Sequence, residues 1–418
     1  MFRAASAASA ATIARVPHLR RPRTSPVFWL LSGQLIMFTG VAAMFPIAPL
    51  YVRRHGGSSL DIALFIAGPL IANTLVQVPA GRLTDRIGRR HMLLGSRAAF
   101  GVLAFALFAD AGPLWLLASL RTLQGVASGA YVPALRAALV DLSEPEKRAE
   151  RFAQLQACEM VGLLVGPFLG GLVALWRDSA VFGVSGAAVF VGLLALRRIP
   201  ETRASGDAEP LPGRLRWWRT PGILVPCLGV AALGTVFSMY DVVWPLFLSA
   251  RGYNSLVIGI TISLFAVPIL VLARPGGRLA DRSNRRWLIT ASFAVTGICA
   301  CLYPTLRSLA PIIALGTVEA CAVVLIEPTL FAVIGDSSPE AQRGRAMGLG
   351  GLFQFGGSAL GAAVLGTLYG VGEGISFWGA GGVLFAAAVA CAVALPARPP
   401  DRRPGAAAEM AAVMPLDA

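Results

Sequence analysis

The sequence predicts an all-α integral membrane protein in which 12 transmembrane helices form two pseudo-symmetric six-helix bundles. Three observations lead to this prediction. The chain of 418 residues is 56% hydrophobic and only 14% charged, whereas a soluble domain carries about 25% charged residues. Long apolar runs follow one another along the chain, and a short cationic segment between two of them occurs a second time.

The repeated cationic segment is the strongest sign of duplication. Residues 81–90 read GRLTDRIGRR and residues 277–286 read GRLADRSNRR. A segment this rich in charge cannot lie in hydrocarbon, so each copy marks a loop at a membrane face. The likeness continues on both sides of these loops, with the same spacing from Pro49 and Pro245 onward. Further equivalent pairs are Gly56 and Gly252, Gln124 and Glu319, Asp141 and Asp336, and Gly162 and Gly356.

The apolar runs are long enough to cross a bilayer, which requires about 20 mostly apolar residues. Residues 27–196 are expected to form the first six-helix bundle and residues 222–395 the second, with a linker at 197–221. Tails are expected at 1–26 and 396–418. The predicted spans are 27–51, 59–80, 92–109, 113–140, 152–175, 180–196, 222–248, 255–275, 287–306, 309–334, 346–369 and 375–395.

The net charge of +14 is concentrated at one face of the predicted bundle. Arginines fill both tails, the linker and the two repeated loops, whereas the opposite loops carry few cations. The positive-inside rule therefore predicts a multi-pass protein of the cell inner (plasma) membrane with both termini in the cytoplasm. This placement argues against nucleic acid as a partner. The Arg- and Ala-rich start also fits a transit peptide, but we favour a disordered cytoplasmic tail.

Cysteine and histidine usage argues against an enzyme. The six cysteines lie in apolar stretches without metal-ligand spacing, and the three histidines lie in the tail or at helix ends. We expect no cofactor, no metal and no catalytic residue. A membrane-embedded enzyme would require a nucleophile–base set or paired histidines, and a sensor or scaffold would require a soluble appendage.

Together the twelve spans, the duplication and the two loops resemble the major facilitator superfamily of transporters, over residues 27–395. The first loop is similar to the family motif G-x-L-[AS]-D-R-x-G-R-[RK], except at Thr84, and the second departs at Ser283 and Asn284. The resemblance implies a cytoplasmic latch between the halves, in which Asp85 pairs with Arg89 or a helix N-terminus; the alternative is that the arginines only fix topology. The implied latch residues are Gly81, Asp85, Arg86, Gly88, Arg89, Arg90, Asp141, Gly277, Asp281 and Arg282.

Two further motifs resemble those of proton-coupled members. Residues 121–125 read RTLQG, similar to R-x-x-Q-G, so Arg121 is expected either to face the cavity or to snorkel to the outer surface. Residues 162–171 read GLLVGPFLGG, which resembles the pattern of drug–proton antiporters. Glycines at every fourth position allow another helix to approach closely. The alternative to an antiporter motif is an ordinary helix-packing surface. The residues of the antiporter-type helix are Gly162, Gly166, Pro167, Gly170 and Gly171.

Carboxyl groups within the predicted spans are candidates for proton coupling. Asp241 lies in the seventh span, Glu319 and Glu327 in the tenth, and Glu159 in the fifth. Burial favours the neutral form of a carboxyl group, and intramembrane acids are usually functional. The eight-residue spacing of Glu319 and Glu327 allows both to line one cavity, although each acid could instead be a structural partner of Arg121, Arg97 or a backbone group. The first span offers no acid, only polar residues such as Gln34.

We therefore predict a monomeric, proton-coupled exporter of small amphiphilic or drug-like molecules that works by alternating access. The alternative is a proton-coupled uptake or exchange carrier for a sugar, organic acid or other metabolite. By resemblance, the cavity walls come from spans one, four, seven and ten, although aromatic residues there also suit helix packing. The cavity candidates are Gln34, Phe38, Gln124, Tyr240 and Trp244.

Overall fold

The structure is a computed structural model that describes residues 25–144, 147–202, 217–338 and 342–395. Within these ranges, the side chains of Ala149, Arg274, Gly277, Asp281 and Arg282 are not described. The described chain is helical throughout, and it contains no β-strand. Both predicted tails and most of the predicted linker lie outside the described residues.

The first half contains seven helices that make up six spans. Its first span consists of two helices, α1 and α2, separated by a bend at residues 43–47. The bend precedes Pro49 at the start of α2, and a proline lacks the N–H that would continue the helical hydrogen bonds. The helices are α1 (Pro26–Ala42), α2 (Ala48–Arg54), α3 (Ser59–Ile87), α4 (Arg89–Phe108), α5 (Leu114–Asp141), α6 (Arg148–Val173) and α7 (Ala180–Leu196).

The second half repeats this arrangement. Its first span is interrupted before Pro245, which is the counterpart of Pro49, but here a π-helical turn at Met239–Val243 joins the two helical parts. The helices are α8 (Pro221–Ser238), α9 (Trp244–Ala250), α10 (Ser255–Arg282), α11 (Arg285–Leu302), α12 (Leu309–Asp336), α13 (Arg343–Val371) and α14 (Glu373–Ala394).

These helices confirm the predicted membrane fold. Nine segments of the described chain are long and apolar enough to cross a membrane, and one of them is the composite span Pro221–Ala250. Two shorter apolar helices, α1 and α7, add two further spans. The 28-residue α5, which carries Arg121 and Arg136, completes the predicted twelve.

The two faces of the bundle are named here by their loops. The hairpin side carries the turn at Gly88 between α3 and α4 and the turn at residues 283–284 between α10 and α11. The far side carries the ends of α2 and α9. Helix α3 packs against α13, and α6 packs against α10, so these two pairs join the halves.

Close contacts between the halves lie toward the far side. The Phe168 amide donates a hydrogen bond to Ser263 Oγ across the α6–α10 contact at 3.1 Å. A Cβ added to Gly171 or to Gly259 would clash with backbone of the other half. Toward the hairpin side, a Cβ on Gly348 or Gly351 of α13 would meet no described atom within 4 Å. The halves are therefore packed together at the far side, and α13 has free space beside it at the hairpin side.

Candidate functional site

A polar network crosses the interior of the first half. Gln34 of α1 donates from Nε2 to Glu159 Oε1 at 3.0 Å, and its own Oε1 accepts from the Tyr131 hydroxyl at 2.9 Å. The Arg97 guanidinium lies 3.7 Å from the centre of the Tyr131 ring. The Gln34 amide therefore holds Glu159, and the network continues from Gln34 through Tyr131 to the buried Arg97. The sequence signal for this network was Arg97, a charged residue within the apolar run 92–109. No sequence signal indicated Tyr131.

Arg121 of α5 points into the protein. It is 9% exposed and donates from Nη1 to Gln124 Oε1 at 2.9 Å. Gln124 is fully buried and donates to the Phe100 carbonyl at 3.4 Å. Among the described residues, Arg121 Nε has no hydrogen-bond partner. The structure thus shows an internal cation in place of the snorkelling alternative.

The opposite charge comes from the second half. Asp241, in the π-helical turn, is close enough to Arg121 for the two charges to attract each other across the interface between the halves. A π-turn places one additional residue in a helical turn and often occurs at functional sites. The sequence identified these two residues separately, because they are far apart in the chain and do not belong to one motif. The structure brings them together.

Glu319 of α12 lies in a closed pocket of the second half. It is 0% exposed, and its Oε2 accepts hydrogen bonds from the hydroxyls of Tyr240 and Tyr303, the latter at 2.6 Å. Its Oε1 has no partner among the described residues. The Trp244 ring packs against both tyrosines, and its Nε1 donates to Thr261 Oγ1 at 3.0 Å. A carboxyl group is therefore enclosed by aromatic rings and bonded to two phenols.

Glu327 lies in different surroundings from Glu319. It is partly exposed, it is hydrogen-bonded by Gln354 of α13, and it is close enough to Glu159 of the other half to interact electrostatically. The expectation that Glu319 and Glu327 line one cavity is therefore not met. Glu319 lies in the core of its own half, where aromatic side chains of the seventh and ninth spans surround it.

Four of the five predicted cavity residues are engaged inside the halves. Gln34, Gln124, Tyr240 and Trp244 are each less than 9% exposed, and each makes the hydrogen bond described above. Phe38 is partly exposed, and it lies beside Gly162. In this conformation these residues support the charged groups more than they line an open cavity.

The antiporter-type glycines of α6 form a surface for close packing. A Cβ on Gly162 would approach Phe38 Cδ1 to 2.9 Å, and one on Gly166 would approach the Thr39 carbonyl to 2.6 Å. A Cβ on Gly170 would clash with the Ala43 carbonyl. Pro167 and Gly171 are at the adjacent surface, where they contact α10 of the other half. The motif therefore serves two contacts at once, one within its own half and one between the halves.

The first hairpin is held by ion pairs inside its own half. Arg89 is 6% exposed, and its guanidinium lies 2.9 Å from Asp141 Oδ2 and 3.3 Å from Asp85 Oδ1. Gly88 has a φ of 99°, and a Cβ there would clash with Glu201. Arg86 is exposed, and Gly81 and Arg90 are partly exposed.

Glu201, at the start of the linker, was missed by the sequence analysis. Its Oε1 accepts from the Arg90 amide at 3.2 Å, and its Oε2 lies 2.7 Å from His91 Nδ1. An acidic side chain at the N-terminus of a helix such as α4 is favourable. The only sequence signal was a single acid after the cationic end of α7.

The second hairpin repeats the main ion pair of the first. Arg285 Nη1 donates to Asp336 Oδ2 at 2.6 Å, and these residues are the counterparts of Arg89 and Asp141. The side chains of the predicted latch residues Gly277, Asp281 and Arg282 are outside the described part of the structure. Both hairpin ion pairs join helices of the same half, so in this conformation they brace each half separately.

Comparisons with known proteins agree with this arrangement. The family model described as Major Facilitator Superfamily matches residues 30–221 and 226–416. The chain is 25% identical over 225 residues to a quinolone resistance protein, NorA, of Staphylococcus aureus (strain MSSA476), covering 51% of this chain and 58% of that protein. It is 32% identical over 187 residues to the uncharacterized MFS-type transporter YhjO of Bacillus subtilis (strain 168), covering 43% and 45% respectively. The alignments thus span about half the length of these relatives.

Solved structures share the fold at low sequence identity. An inward-facing, occupied bacterial homolog of the human lysosomal transporter Spinster has a TM-score of 0.72 at 15% identity and covers 88% of this chain and 94% of its own. A D-xylose–proton symporter also has a TM-score of 0.72 at 15% identity, with 89% and 97% covered. From the family match over both halves and the shared fold, the chain belongs to the major facilitator superfamily of transporters.

Proposed function

We propose that this protein is a secondary active transporter that exports small amphiphilic or drug-like molecules in exchange for protons. In this proposal the hairpin side and both termini face the cytoplasm, and the two halves rock around a central site. The observation that carries the proposal is Glu319, a carboxyl group with no exposed surface whose hydrogen-bond partners among the described residues are two neutral phenols. An ionised carboxylate in such surroundings is costly, so Glu319 takes up a proton readily.

The pairing of Arg121 with Asp241 supports a link between charge and conformation. These residues belong to different halves, so their attraction favours the conformation in which the halves meet at the far side. Adding a proton to Asp241 removes that attraction and favours separation there. Proton-driven export requires a state in which the acid is protonated and the halves are separated at the far side, because the proton enters as the substrate leaves.

The direction of transport rests on the glycine-rich surface of α6 and on the relatives. The motif in α6 resembles that of antiporters, and NorA of Staphylococcus aureus is named for quinolone resistance. A carrier that takes up a sugar, organic acid or other metabolite remains the alternative. Uptake of radiolabelled metabolites by cells that express the protein would favour that alternative over export.

The decisive experiment uses purified protein in liposomes with an imposed pH gradient, with norfloxacin and ethidium as probes. We expect gradient-driven transport in the wild type and its loss in Glu319→Gln, with reduced coupling in Asp241→Asn. Glu144→Gln is the control, because Glu144 is exposed and lies outside the spans. Normal gradient-driven transport in both Glu319→Gln and Asp241→Asn would reject proton coupling at these acids.

The proposed orientation has its own test. A cysteine introduced at Arg86, in the hairpin, should react with a membrane-impermeant maleimide only after cells are opened. A cysteine at Arg54, which is exposed at the far side, should react in intact cells. The opposite pattern would reverse the orientation, and equal reactivity at both sites in intact cells would reject the two-sided topology.

A further inference from the structure

Tyr240 and Asp241 are neighbours in the chain, but they interact with different halves of the protein. The Tyr240 hydroxyl donates to Glu319 inside the second half, whereas the Asp241 carboxyl group is close enough to Arg121 of the first half for their charges to interact. Both belong to the π-helical turn Met239–Val243. We propose that Tyr240 is a positioning residue that transmits the charge state of Glu319 to Asp241. This inference rests on the proposed proton coupling at Glu319.

The hydrogen bonds at Glu319 are suited to sensing its charge. Both phenols donate to Oε2, while Oε1 is buried without a described partner. A proton can therefore bind at Oε1 without displacing either phenol, and it leaves from the same atom. Hydrogen bonds to an ionised acceptor are about twice as strong as those to a neutral one. Protonation thus leaves both phenols in place but weakens their attachment to Glu319.

Tyr240 has an alternative partner when that attachment weakens. Its hydroxyl lies 3.2 Å from the Tyr303 hydroxyl, so the two phenols can bond to each other. The titratable groups that face Glu319 in the described structure are Tyr240 of the π-turn, and Tyr303 and Cys299 of the ninth span. No charged group faces Glu319 among them, which leaves its own ionisation as the variable charge in the pocket.

The π-turn converts this change into a movement of Asp241. A π-turn is a single wider turn within an α-helix, and such turns are frequent at functional sites. If Tyr240 is released, the turn can return toward α-helical geometry, in which successive residues are about 100° apart around the axis. Asp241 then rotates relative to Arg121, and the attraction between the halves decreases. One proton on Glu319 would in this way weaken the far-side contact.

Two tyrosine variants separate this role from simple support of the pocket. Tyr240→Phe and Tyr303→Phe each remove one phenol from the same oxygen of Glu319, but only Tyr240 belongs to the π-turn. In the liposome assay we expect Tyr240→Phe to lower gradient-driven ethidium transport about tenfold, which corresponds to about 1.4 kcal/mol. Gradient-free ethidium exchange should stay within about twofold, and the pH profile of transport should flatten, because binding remains while coupling is lost.

Tyr303→Phe is the matched comparison. It removes the other phenol at the same oxygen but leaves the bond from the π-turn to Glu319, so we expect a smaller loss of gradient-driven ethidium transport than in Tyr240→Phe and a pH profile that still responds to Glu319. Equal behaviour of the two variants, whether both coupled or both uncoupled, would overturn the role of Tyr240. So would a normal pH profile in Tyr240→Phe. Normal gradient-driven transport in both Glu319→Gln and Asp241→Asn would instead reject the proposed proton coupling at these acids, so the two failures are distinguishable.

A second measurement applies if Tyr240→Phe does not fold. Hydrogen exchange of a peptide that contains Met239–Val243 should increase as the pH is lowered, after correction for the intrinsic pH dependence of exchange. The same peptide in Glu319→Gln should show no such increase, because its side chain does not titrate. A pH response that persists in Glu319→Gln would overturn the link between this acid and the π-turn.

Discussion

Gln124 and Glu319 occupy equivalent positions in the two halves, but their partners differ in charge. Gln124 accepts a hydrogen bond from the Arg121 guanidinium at 2.9 Å, whereas Glu319 accepts from the phenols of Tyr240 and Tyr303. Gly316 stands in the second half where Arg121 stands in the first. The duplicated fold therefore carries a buried cation in one half and a buried acid in the other.

A double-mutant cycle measures the attraction between Arg121 and Asp241. We expect Arg121→Gln and Asp241→Asn each to destabilise the protein, because each leaves the remaining charge buried without its counterpart. Loss of one partner of a buried pair costs about 3–5 kcal/mol, and partial exposure of Asp241 places this effect at the lower end. The double variant Arg121→Gln/Asp241→Asn should recover most of the lost stability, measured by thermal unfolding in detergent.

Recovered stability without recovered function would show that the pair has a role beyond folding. The double variant should therefore remain defective in gradient-driven ethidium transport. Strictly additive effects of the two single changes on the unfolding temperature would mean that these side chains do not interact.

Close packing of α6 on α1 should make Gly170 intolerant of any side chain. In Gly170→Ala the new methyl group meets the Ala43 carbonyl, and we expect destabilisation of about 1–3 kcal/mol from overpacking. Gly356→Ala is the control, because Gly356 is the counterpart of Gly162 and a Cβ there meets no described atom within 4 Å. Thermal unfolding in detergent should separate the two variants, and equal unfolding temperatures would contradict the packing role of the α6 glycines.

The turn between α3 and α4 should require glycine at position 88. Its φ of 99° and ψ of 149° are unfavourable for residues with a Cβ, at a cost of about 1–3 kcal/mol, and the Cβ would also clash with Glu201. Gly88→Ala should therefore lower the unfolding temperature. Gly95→Ala, within the following helix α4, should not lower it, since a Cβ there has free space. An unchanged unfolding temperature in Gly88→Ala would show that the linker contact at Glu201 gives way easily.

Buried Arg89 should matter more than exposed Arg86, although both lie in the same motif. Arg89→Gln removes the cation shared by Asp85 and Asp141, so the turn between α3 and α4 should loosen. Limited proteolysis in detergent is expected to cut this hairpin several-fold faster in Arg89→Gln than in Arg86→Gln, since opening of the turn governs cleavage. If both variants are cut at the wild-type rate, the ion pairs contribute little to the hairpin.

The membrane fold was predictable because its signals are local. Apolar length gave the spans, and the repeated loops gave the two halves, so the helices agree with the expected segments within a few residues at most ends. The spans that contain the shorter helices α1 and α7 were also counted from apolar length, and six spans in each half agree with the duplication. The π-turn at Met239–Val243 was not predictable, since no propensity rule distinguishes it from the α-helix on either side.

The candidate site was predictable only as a set of single residues. Intramembrane charge singled out Arg121, Asp241 and Glu319, but their partners depend on which helices meet in space. Tyr303 lies after α11 and carries no charge or motif, yet it bonds directly to Glu319. Glu201 was overlooked for the same reason, because its contact with Gly88 and His91 joins segments far apart in the chain.

The far-side seam between α6 and α10 has an energetic consequence. The backbones of α6 and α10 approach closely at Gly171 and Gly259, and among the described residues one hydrogen bond, from the Phe168 amide to Ser263 Oγ, joins the two helices. Separation of α6 from α10 breaks few described hydrogen bonds, so we expect the closed and separated forms to differ by only a few kcal/mol. A bound solute or one transferred proton then suffices to tip the population from one form to the other.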